Sequence, residues 1–223
     1  MPSTLYAARP ALATFAAMGI LWGSFAATFP DIKIMLGVDE AGLGLLVLGA
    51  PIAAVLAMLV APVTGRLMGR LALPLASIAM ALAFLLPGQA PLAGGAMLAA
   101  FALGMAACGA TTGTLDVLMN ARVASIENAR GQSLMNLCHA GYSLGYAGSA
   151  LLSGALRASN WPPGQVMGAA AIIALVLGLF SYEAEGRIDG LEKPKDGSSP
   201  ALGRVAVVGG AIVLIAFLSE NAA

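Results

Sequence analysis

The sequence is poor in charged residues. Asp, Glu, Lys and Arg together make up 10% of its 223 residues, whereas hydrophobic residues make up 59%. A soluble domain carries about 25% charged residues, and no water-soluble core could hide this much apolar surface. The mean hydropathy of +0.88 agrees with this. The scarcity of charge therefore excludes a soluble globular domain and predicts a protein embedded in a lipid bilayer.

Residues that carry redox and metal chemistry are also scarce. The two cysteines, Cys108 and Cys138, fall inside long apolar stretches, where apolar packing is their ordinary role. His139 is the only histidine. The sequence thus predicts no disulfide, no metal site, no cofactor and no nucleic-acid partner.

Long apolar stretches are abundant. A helix needs about 20 apolar residues to cross the roughly 30 Å hydrocarbon core of a bilayer. Six candidate spans meet this need, at 11–29, 41–62, 71–87, 92–114, 133–156 and 165–182. A seventh begins near Val205 but covers only about 21 Å by Leu218, where polar residues intervene. We therefore expect the chain to be the N-terminal piece of a larger membrane protein.

These spans define three predicted parts of an all-α membrane protein. Residues 1–182 form an N-terminal bundle of six transmembrane helices. Residues 183–203 are rich in charge, Gly, Ser and Pro, and we expect a cytoplasmic linker loop there. Residues 204–223 are the start of a seventh transmembrane helix.

The basic residues predict the orientation, because net charge carries no information here. With the N-terminus inside, only Lys33 and Arg157 among the 11 Lys and Arg residues lie outside. We therefore expect a cytoplasmic N-terminus. A cleaved signal peptide at residues 1–29 is disfavoured, since the apolar run is long and five more spans follow.

Glycine is frequent within the spans, with 28 in the chain. Small residues let helix backbones approach closely where no hydrophobic effect drives association. Pairs four residues apart occur in the first, fourth and fifth spans: Gly19 and Gly23, Gly109 and Gly113, Gly141 and Gly145. We expect these three helices to pack tightly around a common centre.

Few ionisable residues lie within the bundle, and a charge in hydrocarbon costs about 2.5 to 3.5 kcal/mol on insertion scales. Asp116 and Asn120, at the end of the fourth span, share a helix face. Asn136 and His139 lie near the start of the fifth span. Because these two spans are antiparallel, Asp116 and His139 should lie at similar depth, where a carboxylate and an imidazole can hold or relay a proton.

Structural roles stay open for these residues. Asp116 could lie at headgroup level and contact Arg122 or Arg130, and His139 could donate to a backbone carbonyl. Trp22 is either a stacking wall for a solute or ordinary helix packing.

Two acidic residues lie near the ends of apolar stretches. Asp31 follows Pro30 beyond the first span, and we expect it in an exposed loop. Glu220 would lie within the membrane on a completed seventh helix, where a functional and a structural role are both open.

The segment Gly141-Tyr142-Ser143-Leu144-Gly145 matches the nucleophile signature of serine hydrolases. That signature works on a strained turn between a strand and a helix. Here it falls inside a predicted helix, so we expect no enzyme.

The loop between the second and third spans resembles that of the major facilitator superfamily, which has the form Gly-x-x-x-Asp-Arg-x-Gly. Gly65 and Arg70 match, while Gly69 and Ala72 replace the aspartate and the second glycine. The resemblance implies a six-helix half built as a 3+3 inverted repeat, and a gating loop that contains Gly65, Arg66 and Arg70.

Residues 115–120 and 139–148 resemble the sugar-permease-like branch that includes fucose permease and the YbjJ-type proteins. The resemblance implies a bacterial inner (plasma) membrane transporter whose missing C-terminal half completes the substrate cavity. It implies a small polar solute such as a sugar, or efflux of a drug or metabolite, together with protons. The expected site residues are Asp116, Asn120, Asn136, His139, Trp22 and Glu220.

Two other classes of protein remain open for this sequence. One is a small membrane protein that assembles into an oligomeric scaffold or pore. The other is a sensory membrane bundle that does not transport.

Overall fold

Helices make up all regular secondary structure in the part of the chain that the computed structural model describes, residues 4–184 together with 186, 188 and 191. The longer helices are α1 (Thr4–Leu36), α3 (Gly49–Met68), α6 (Met97–Arg130), α7 (Met135–Ala158) and α8 (Pro163–Phe180). Shorter ones are α2 (Glu40–Val47), α4 (Ala72–Ala83) and α5 (Leu85–Gly88). Two 3-10 segments, Gly69–Leu71 and Ala90–Ala96, join them. The predicted seventh helix lies outside the described residues.

Four helical segments are long and apolar enough to cross a membrane: Tyr6–Leu36, Glu40–Gly88, Ala90–Arg130 and Pro163–Phe180. The second of these contains two of the predicted spans, on either side of the turn at Gly69–Leu71. The fifth predicted span coincides with α7, which is not among the four because it is more polar. The all-helical class is therefore confirmed, and four apolar helices indicate a membrane protein.

The outer surface of α3 also fits a lipid environment. It exposes a run of large apolar side chains: Ile52, Val55, Leu56, Leu59, Val60 and Val63. Soluble monomers rarely expose contiguous apolar surface of this extent. The core of the bundle, by contrast, buries Phe15, Met80, Phe101 and Met105.

Glycines bring α1 and α7 into backbone contact. A Cβ atom on Gly19 would collide with the carbonyl oxygen of Tyr142, and one on Gly23 with that of Tyr146. From the opposite side, a Cβ on Gly145 would lie 2.7 Å from the carbonyl oxygen of Ala16. The close approach expected of these glycines is confirmed for this helix pair.

The glycines of α6 face a different partner. A Cβ on Gly109 would collide with the backbone of Ala50, and one on Gly113 with the backbone of Ala54, both on α3. The expectation of tight packing among all three glycine-bearing helices is therefore wrong. The tight backbone contacts form two pairs, α1 with α7 and α3 with α6, because the glycine face of α6 points towards α3.

The expectation that Asp31 lies in an exposed loop is wrong as well. Helix α1 continues through Pro30 to Leu36, although a proline inside a helix removes one backbone hydrogen bond. Ile32 and Leu36 are buried, and packing holds this last part of the helix. The half-buried carboxylate of Asp31 pairs with Arg157 near the end of α7, with 2.9 Å between Nη2 and Oδ1.

Candidate functional site

A cavity of about 240 Å³ lies among α1, α6 and α7. Its lining combines three aromatic side chains, two methionines and three polar groups: Phe15, Met18, Trp22, Thr112, Asp116, Met119, His139 and Tyr142. Small-molecule sites in proteins have this mixture of apolar walls and a few polar groups. Three of the residues predicted from the sequence, Trp22, Asp116 and His139, thus line one cavity.

Asp116 is half-buried on α6 and has a partner on its own helix. The side-chain amide of Asn120 donates to the carbonyl oxygen of Asp116 at 2.8 Å and to its carboxylate Oδ1 at 3.1 Å. The predicted sharing of one helix face is confirmed. Arg122, a partner considered for Asp116, forms a two-point ion pair with Glu183.

His139 reaches the cavity from α7. Its ring packs edge-on against Phe15, with 4.9 Å between the ring centroids. His139 and Asp116 line the same cavity, in agreement with the similar depth predicted from the antiparallel spans. Tyr142 follows His139 by three residues, so the helix brings both side chains to one face.

Trp22 packs against other aromatic side chains of the bundle. Its ring makes edge contacts with Phe25 and Phe84, at centroid distances of 5.7 and 5.1 Å. It also lines the cavity. The contacts fix the ring in the bundle while one side faces the cavity.

Thr112 is a cavity residue that the sequence did not single out. Its hydroxyl is buried and has no hydrogen-bond partner within the part of the chain that the structure describes. The neighbouring hydroxyls of Thr111 and Thr114 instead donate to carbonyl oxygens one turn earlier, at 2.8 and 2.9 Å. The spacing of Thr112, Asp116 and Asn120, four residues each, is the signal that could have found it.

Other predicted site residues lie elsewhere. Asn136 is exposed on α7 and does not line this cavity, and Glu220 falls outside the described residues. In the predicted gating loop, Gly65 is buried against Leu118 and Leu191, and Arg66 donates to the carbonyl oxygen of Leu191 at 2.9 Å. Arg70 is exposed.

No protein-family model, curated protein or solved structure matches this chain. The chemistry of the site therefore follows from its residues. A carboxylate, an imidazole, a phenol and an unpartnered hydroxyl converge on a cavity with aromatic walls. This set can bind a small polar solute and can take up or release a proton.

Proposed function

We propose that this chain is the N-terminal six-helix half of a proton-coupled secondary transporter and that the cavity is its share of the solute site. The observation that carries the proposal is the convergence of Asp116 and His139 on one cavity among apolar helices. Ionisable groups are costly in a membrane, and those present usually mark a substrate or proton pathway. A major facilitator superfamily arrangement accounts for the same features.

The two glycine contacts support a 3+3 repeat. Gly19 and Gly23 of α1 meet the carbonyl oxygens of Tyr142 and Tyr146, and 90 residues later Gly109 and Gly113 of α6 meet the backbone of Ala50 and Ala54. Their partners Ala50 and Ala54 lie 92 residues before Tyr142 and Tyr146. Two nearly equal shifts along the chain, of 90 and 92 residues, therefore relate the α1–α7 contact to the α3–α6 contact.

Several other helix contacts obey the same relation, whereas the contact of α1 with α4 has no comparable counterpart between α6 and α8. If α1, α3 and α4 correspond to α6, α7 and α8, the packing of α1 on α8 corresponds to that of α6 on α4. The same correspondence exchanges α1 with α6 and α4 with α8. The contact of α1 with α6 and that of α4 with α8 are therefore each their own counterpart. This pattern is the one expected of two three-helix units related by a two-fold axis, as in inverted-repeat transporters.

In this proposal Asp116 is the proton or substrate acceptor, and His139 and Asn120 are its hydrogen-bonding partners. Trp22 provides a wall on which a small polar solute, such as a sugar or a metabolite, stacks. Such sites lie near the bilayer midplane between the two halves of a transporter. We therefore expect no concentrative transport by the 223-residue chain alone.

The test begins with the gene beyond the codon for Ala223. An open frame that encodes a second six-helix half supports the proposal, and an immediate stop codon favours an oligomeric scaffold or pore. Vesicles containing the whole gene product, with an imposed proton gradient, are then screened against sugars and lipophilic drugs. Asp116→Asn should abolish proton-driven accumulation.

The matched control is Asp39→Asn. Asp39 is exposed and caps α2 by accepting a hydrogen bond from the Gly42 amide at 2.8 Å. Asparagine caps helices as well as aspartate does, so the fold and transport should survive. Equal accumulation by Asp116→Asn and the unmodified protein would remove Asp116 from the proposed mechanism.

A further inference from the structure

A second cavity, of about 620 Å³, lies at the end of the bundle where α1 begins and α6 and α8 end. Among the residues that the structure describes, its lining includes three arginines, Arg9, Arg122 and Arg130, and a single carboxylate, that of Glu183. It shares no residue with the cavity that holds Asp116. The proposed transport function makes no use of it.

The arginines of this cavity are held in different ways. The Arg122 guanidinium pairs with both carboxylate oxygens of Glu183, at 2.9 and 3.1 Å, so this one negative charge is already engaged. Arg9 donates through Nη2 to the carbonyl oxygen of Tyr182 at 2.9 Å, and its guanidinium lies over the Tyr6 ring. Arg130 is exposed at the end of α6.

One nitrogen of Arg9 is a buried donor. Its Nε has no hydrogen-bond partner among the described residues. Buried polar groups in proteins are nearly always hydrogen-bonded, so an unpartnered guanidinium nitrogen beside a cavity points to an acceptor that binds there. Two further arginines in the same cavity make that acceptor an anion.

We propose that this cavity is a binding site for a phosphate group, such as that of an acidic phospholipid headgroup. Arginine presents a planar fork of donors that matches phosphate geometry. The cavity opens where the apolar helices end, at the side that the basic residues assign to the cytoplasm, and basic pockets between helices there suit acidic headgroups. Free phosphate has the same chemistry and is the other source.

The test uses the full chain, purified in a neutral detergent at about 0.15 M salt, which screens exposed charges beyond about 8 Å. Short-chain phosphatidylglycerol, phosphatidylcholine and inorganic phosphate are titrated separately, and thermal unfolding reports binding. Phosphatidylglycerol should raise the unfolding temperature, and phosphatidylcholine should not. Arg9→Gln and Arg130→Gln should each weaken binding about tenfold, as expected for loss of one charged hydrogen bond.

Arg70→Gln is the matched control, because it removes one exposed arginine from the same end of the bundle outside the cavity. Arg130 is exposed as well, so its replacement leaves the fold intact and keeps the test valid if Arg9→Gln is unstable. Stabilisation by phosphatidylglycerol alone assigns the site to a lipid, and equal stabilisation by inorganic phosphate assigns it to a soluble anion. Equal weakening by Arg70→Gln, or no preference for either anion over phosphatidylcholine, overturns the proposal.

Discussion

Thr112 has a buried hydroxyl with no hydrogen-bond partner in residues 4–184, 186, 188 and 191. A buried unpaired polar group costs about 1 to 3 kcal/mol. We predict that Thr112→Val, which keeps the shape and removes the hydroxyl, unfolds at the same or a higher temperature than the unmodified chain. Thr114→Val is the control, since that hydroxyl bonds to the Ala110 carbonyl. A clear loss of stability specific to Thr112→Val would show that the hydroxyl has a partner.

The ion pair between Asp31 and Arg157 predicts a dependence on pH. Asp31 must be ionised to pair with the Arg157 guanidinium. An aspartate in an unfolded chain has a pKa of about 3.9, so the pair contributes at pH 7 and its contribution disappears once the carboxylate is protonated in acid. We predict that Asp31→Asn costs about 0.5 to 1 kcal/mol at pH 7 and less below about pH 4.

Denaturant unfolding at both pH values measures this difference. Glu40→Gln is the control, because Glu40 also pairs with a cation, Lys33, but its side chain is 83% exposed. An exposed pair contributes little, so this variant should match the unmodified chain at both pH values. If Asp31→Asn costs as much at pH 3 as at pH 7, its effect does not come from the charge.

At the scale of helices, two glycine-mediated pairs hold the bundle together. A Cβ on Gly109 would collide with the Ala50 backbone, which cannot move aside without moving α3. We predict that Gly109→Ala destabilises the protein by about 1 to 3 kcal/mol. Gly168→Ala is the control, since a Cβ there meets nothing within 4 Å, and alanine favours a helix. Unfolding in detergent should separate the two variants, and equal stability would contradict this packing.

The sequence predicted which helices use glycines for close backbone contact, because glycines four residues apart lie on one helix face. It did not predict that α6 packs on α3, since the position of a glycine face does not show which helix will pack against it. Asp31 was misplaced because a proline followed by a charge usually ends a helix, whereas burial of Ile32 and Leu36 extends this one. Thr112 was missed because a threonine hydroxyl within a helix normally bonds to its own backbone.

For the whole molecule, the number of membrane crossings depends on α7, the predicted span that is not among the four strongly apolar segments. Its 24 residues extend about 36 Å, enough to cross the hydrocarbon core. Ser133 precedes α7 and Ser159 follows it, and both are exposed. If α7 crosses the membrane, these positions lie on opposite sides.

We predict that, in intact cells, a membrane-impermeant maleimide labels Ser159→Cys and leaves Ser133→Cys unlabelled until the membrane is opened. Serine and cysteine have nearly the same shape, so neither change should disturb the fold. The native thiols of Cys108 and Cys138 are buried and should give little background, which the unmodified chain measures. Labelling of both positions from the same side would mean that α7 lies along the membrane, and the six-helix half and its inverted repeat would then have to be abandoned.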